Sequence, residues 1–164
     1  MSAIPETLVA VGKGRRNRGR RHSEAPKERA YEIRVFPVER LFVDKIVSQL
    51  GAPIDGWIPE LIYRYAILTT ESLCVDWAIM IDVYRIDENG GVIRRRVQRI
   101  DICHSEIHVH EFRQGDDPLD DQGRRWSLRS ISAGEAATVN REFDLQLALL
   151  THEWPDCIRR WIDG

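Results

Sequence analysis

The chain has 164 residues, 43% of them hydrophobic and 30% charged, with a formal net charge of −2. That composition belongs to an ordinary globular protein and excludes fibrous, low-complexity and wholly disordered classes. No apolar run approaches the ~20 residues that span a bilayer, and the best stretch, residues 75–84, is broken by Asp76 and Asp82.

The charge is unevenly distributed. Residues 1–30 carry eight Lys or Arg against three Glu, whereas the rest carries sixteen against twenty-three. A basic arm on an acidic body is the expectation. Its apolar piece at 7–11 precedes the Arg cluster, the wrong order for a signal peptide. Lys13-Gly-Arg-Arg-Asn-Arg-Gly-Arg-Arg-His22 has no apolar side chain, so it cannot offset its ordering entropy and is predicted to be disordered. Arg15, Arg16, Arg18, Arg20 and Arg21 suit phosphate contacts with nucleic acid; a solvated tail is the alternative.

The folded part is predicted to be a single α+β domain over 31–164. Tyr31-Glu-Ile-Arg-Val-Phe36 alternates like a short strand. After Pro37, the apolar residues Val38, Leu41, Phe42, Ile46 and Leu50 recur at helical spacing, and Gly51 stands at a helix C-terminus. A Pro/Gly-rich link follows. Strands are predicted over 61–68 and 73–86, rich in Tyr, Ile, Val and Trp, with a turn at 69–72. Asp87-Glu-Asn-Gly-Gly91 marks a hairpin, because Asn-Gly-Gly supplies positive φ angles. Strands over 92–102, 106–113 and 126–131 come next, the last two separated by a polar loop. Trp126 reads as a core residue at a strand start. Ser132-Ala-Gly-Glu135 resembles a capping box. The helix after it turns Val139, Phe143, Leu147 and Leu150 to one side, and Pro155 ends or kinks it before a short helix carrying Ile158, Trp161 and Ile162. The predicted fold is an antiparallel meander of four to five strands with helices packed on one face.

The three cysteines, Cys74, Cys103 and Cys157, share no Cys-x-x-Cys spacing. Free, buried thiols in a reducing, cytoplasmic setting are expected.

Ionisable chemistry concentrates in His104-Ser-Glu-Ile-His-Val-His110. Strand alternation puts Glu106, His108 and His110 on one face and Ile107 and Val109 on the other. The apolar pair takes the core, so the His pair should face solvent or a cleft. His104 joins that face only if no turn intervenes. Such a set suits an ion held by His-x-His with Glu106 or His104, an acid–base pair, or an inert polar face. Free imidazole titrates near ~6.5, which suits proton transfer at neutral pH. RNA transesterification needs a base, an acid and positive charge, and Arg94, Arg96, Arg99 or Arg113 offers the charge. Arg94 and Arg96 form a candidate phosphate clamp, or pair with Asp82, Asp87 or Asp101.

These residues predict a metal-independent endoribonuclease without cofactors, in which His108 and His110 are catalytic, aided by Glu106 and Arg99. The alternative is a non-enzymatic nucleic-acid or protein-binding module with a basic arm. The order of Tyr63-Arg-Tyr65, Arg99-Ile-Asp101 and the His104–His110 segment, within residues 63–150, resembles the TumE-type toxins of bacterial toxin–antitoxin modules. A bacterial family of similar shape without assigned function fits the same order. The toxin resemblance implies growth inhibition through RNA and neutralisation by a separate antitoxin-like protein.

Overall fold

The computed structural model describes residues 31–33, 36–117, 119 and 122–164; the arginines at 15–21 lie outside them. A 3-10 turn, Val38–Arg40, leads into six strands and a helix. They are β1 (Leu41–Gln49), β2 (Ile58–Leu68), β3 (Leu73–Ile86), β4 (Val92–Cys103), β5 (Glu106–Glu111), β6 (Arg124–Ser130) and α1 (Ala136–Asp163). The strands form one antiparallel sheet in sequence order. The α+β meander is as predicted, with one strand more and one long helix in place of several.

Each hairpin has a local cause. Between β3 and β4, Asp87 Oδ1 accepts from the N–H groups of Asn89 (2.9 Å) and Gly91 (2.7 Å), and Gly90 has φ +79°. Between β4 and β5 the turn is only His104 and Ser105, both left-handed (φ +52° and +63°). Two left-handed residues give the twist that a two-residue hairpin needs.

One sheet face carries the core. Trp77, Ile79, Ile81 and Val83 on β3, Ile100 on β4 and Ile107 and Val109 on β5 are buried there. Val139, Leu150, Ile158 and Trp161 of α1 pack against them. The helix is pinned by polar bonds as well: Trp77 Nε1 donates to Val139 O (3.0 Å), and the Cys74 N–H donates to Asn140 Oδ1 (2.8 Å).

Five expectations are corrected. Residues 38–50 form a turn and a strand, not a helix: β1 pairs with β2 along its whole length, from Leu41↔Leu68 to Gln49↔Glu60. Cross-strand pairing overrides the helical spacing, and β-branched Val43, Ile46 and Val47 suit it. Gly51 is not a helix cap; a Cβ there would stand 2.8 Å from the Trp154 ring, so close packing requires glycine. The segment from Tyr31 is no strand in its described part, since the Phe36 N–H turns back to Ile33 O (3.0 Å). The helix starts three residues later than a Ser132 cap implies, with Glu135 as its N-cap and the Glu135 carboxylate accepting from the Ser132 N–H (2.5 Å). It then runs through Pro155 without ending. A mid-helix proline costs about 3 kcal/mol, and burial of Cys157, Ile158 and Trp161 beyond it offsets that cost.

Burial pushes the Cys74 thiol up to about 12 and raises the Tyr31 hydroxyl, which donates to Val75 O, and the Cys157 thiol as well. All three groups hold protons in the fold that the unfolded chain releases at lower pH. Their contribution is complete below the unfolded values and is lost as pH rises through the folded ones. We expect the melting temperature to fall steadily as pH is raised from about 9 toward 12. Thiol labelling at mildly alkaline pH should modify the half-buried Cys103 and spare Cys74 and Cys157.

Candidate functional site

The sheet face away from α1 carries the polar cluster. Register places it: Asp101 lies opposite His108, Arg99 opposite His110, and His110 in turn opposite Arg125 of β6. Glu106, His108 and His110 share this face, as strand parity requires. Arg99 and Arg96 share it too, although simple alternation would set them on opposite faces; the register slips at Ile81/Asp82, so Ile81 opposes Gln98 while Asp82 opposes Arg96. That bulge is what aligns both arginines.

Each imidazole has its own carboxylate and its own guanidinium. His108 Nε2 lies 2.8 Å from Glu106 Oε2, and Arg125 Nη2 stands 2.6 Å from the same ring nitrogen. A carboxylate only accepts, so Nε2 carries the proton toward Glu106. Nδ1 is then the acceptor left on this ring, and Arg125 Nη2 stands 3.2 Å from it. His110 Nδ1 lies 2.7 Å from Gln122 O, and a carbonyl likewise only accepts, so Nδ1 carries a proton. His110 Nε2 faces Arg99 Nη2 at 3.2 Å and Asp101 Oδ1 at 3.6 Å. Arg99 Nε approaches Asp101 Oδ2 at 2.8 Å as an ion pair, but off the axis of its N–H. Asp101 Oδ1 is buried without a hydrogen bond. The two rings are 6.3 Å apart, tilted edge to face.

Both rings are only 2% exposed. The expectation of a solvent-facing or cleft-facing pair is therefore corrected. The rings lie off the core face, yet Arg99, Arg125 and the Gln122 backbone close over them. Three cavities of about 490, 660 and 470 Å³ are lined by neither His108 nor His110. His104 falls in the turn and leaves the set. Arg94 and Arg96 are on the same face but held by carboxylates, Arg94 by Glu60 and Arg96 by Asp82 at 3.2 Å. They form ion pairs, not an unoccupied clamp. Trp126 is 37% exposed on the edge strand and is not a core residue.

The sequence alone groups neither Asp101 nor Arg125 with the histidines. Asp101 is visible only as a residue two places from Arg99 on the same strand. Arg125 joins through the β5–β6 pairing, which nothing in its local sequence signals. No group of three or more His, Cys, Asp or Glu side chains among the described residues is arranged to hold a metal ion. No helix among them is long and apolar enough to cross a membrane. No family model, curated protein or solved structure matches the chain. The geometry of the cluster carries the functional reading alone.

Proposed function

We propose that the open-face cluster is an acid–base centre for metal-independent cleavage of RNA, in a toxin-like protein held in check by an antitoxin-like partner. One observation supports the acid–base reading: two imidazoles 6.3 Å apart, each with its own carboxylate and guanidinium. His110, with Nδ1–H committed to Gln122 O, offers Nε2 as the base for a ribose 2′-hydroxyl. The 2′-oxygen attacks phosphorus, the P–O5′ bond breaks, and protonated His108 returns a proton to the leaving 5′-oxygen. The product is a 2′,3′-cyclic phosphate. Arg99 and Arg125 balance the charge on phosphorus, and the Arg125 and Gln122 cover swings aside to admit the strand.

Purified full-length protein should cleave single-stranded RNA in EDTA. His110→Ala or His108→Ala should slow cleavage by about 10²–10⁴-fold, the usual worth of one acid or base. RNA that stays intact over several sequences would remove the enzymatic reading.

The 2% exposure of both rings favours a second reading, a binding module in which this network is structural. Under that reading the His substitutions leave RNA or protein binding unchanged, and deletion of residues 1–30 abolishes salt-sensitive nucleic-acid binding.

A further inference from the structure

The two edges of the sheet are built differently. β6 has three arginines among its seven residues, and its pairing with β5 is interrupted between Ile107 and His108. Charge and a bulge are the usual devices that keep an edge from pairing. β1 has neither in comparable measure. Its nine residues pair with β2 without a register shift, and its only charges are Asp44 and Lys45. Phe42, Val43 and Val47 are 51%, 65% and 52% exposed.

The backbone of β1 is also oriented for pairing. Arg40 O accepts from the Thr69 N–H (2.8 Å), and the Leu50 N–H donates to Pro59 O (3.1 Å). Both bonds fit the β1–β2 register, so even-numbered residues bond inward to β2. The N–H and C=O groups of Leu41, Val43, Lys45, Val47 and Gln49 therefore point away from the sheet. Among the described residues only β2 pairs with this strand.

We propose that a second copy of this chain pairs antiparallel along β1, with the twofold axis through Ile46. A twofold axis normal to the sheet sets residues of equal parity opposite one another, and the sequence then selects among positions. An axis at Asp44 or Lys45 faces like charges directly, which is unfavourable. An axis at Val43 or Val47 leaves about half of the strand unpaired. The axis at Ile46 avoids both faults. Asp44 then meets Ser48 of the second copy, Lys45 meets Val47, and Phe42 meets Leu50. Ile46 lies on the same face as Tyr63, its partner on β2, whose ring stacks on Tyr65 at 6.0 Å. Phe42, Ile46 and the tyrosines of both copies so form one apolar strip between the two helices, and the outward backbone groups gain bonds.

Sedimentation of the full chain across micromolar concentrations tests this, and a mass of twice 19.0 kDa is expected. Ile46 would face itself at a non-hydrogen-bonded position, where Cα atoms approach to about 4.5 Å. Ile46→Cys in a Cys103→Ser background should thus give a disulfide-linked dimer on mild oxidation. Val47→Pro removes an outward N–H and leaves the β2 ladder intact, so it should weaken the dimer at least about tenfold while the circular dichroism is kept. If Val47→Pro fails to fold, Val43→Lys gives the same reading with every backbone bond in place. A chain of 19.0 kDa at all concentrations would overturn the assignment. So would a dimer that survives these edge substitutions and does not cross-link in the Ile46→Cys variant.

Discussion

Trp77→Ala is expected to destabilise the fold by about 3–5 kcal/mol, the usual cost of truncating a buried aromatic side chain. Trp77 has no exposed surface and sits on β3 beneath α1, its ring 6.0 Å from Phe143. The indole does two jobs. It fills the space between sheet and helix, where packing is dense and relaxation incomplete. Its Nε1 also donates to Val139 O at 3.0 Å, which ties the first turn of α1 to the sheet. Trp77→Phe separates the two: it keeps most of the volume and should cost the bond and some packing, about 1–2 kcal/mol. Trp126→Ala, on an exposed edge, should stay within about 0.5 kcal/mol. Urea unfolding with an unchanged m-value is the measurement. Equal midpoints for Trp77→Ala and Trp126→Ala would mean that α1 does not pack on β3 as described. Since whole domains are stable by only about 5–15 kcal/mol, the alanine variant should unfold well below the native midpoint.

The same residues explain what was legible in the sequence. β3 was readable to its ends because it is buried on both faces and bounded by turn residues, so its apolar run is nearly continuous. β1 was not, because an edge strand exposed on both faces shows no alternation, and its few apolar residues happen to match a helical period. The grouping of Glu106, His108 and His110 followed from parity alone. The burial of the two histidines did not, because the cover comes from Arg125 and Gln122, twelve or more residues away in sequence. Arg96 and Arg99 share a face only through a bulge, and a bulge leaves no periodic trace. Ser132 and Glu135 bond to each other as a capping box implies, but one turn ahead of the helix, which begins only after Glu135.

Asp101→Ala should be the most damaging change on the open face, at about 3–5 kcal/mol, because it strips the partner from a largely buried cation. Arg99 and Asp101 are each only 15% exposed at the side chain and lie 2.8 Å apart. With the carboxylate gone, the guanidinium keeps its charge and loses its ion-pair partner among the described residues, while His110 Nε2 loses its neighbour at 3.6 Å. The pair Arg64–Asp76 gives the contrast. It has the same 2.8 Å separation, but Arg64 is 47% exposed, so water screens it and Arg64→Ala should cost no more than about 1 kcal/mol. If burial is the cause, removing both charges should cost less than removing one. Arg99→Met with Asp101→Leu should recover much of the loss, since an apolar pair of similar volume leaves no buried charge unpaired. A double variant as unstable as Asp101→Ala would instead assign the loss to His110, which would then depend on Asp101 for its place. That outcome bears on the proposed chemistry as well. A base whose position depends on Asp101 should lose RNA cleavage in Asp101→Asn even where the fold survives, whereas a structural network should show only the shift in unfolding midpoint.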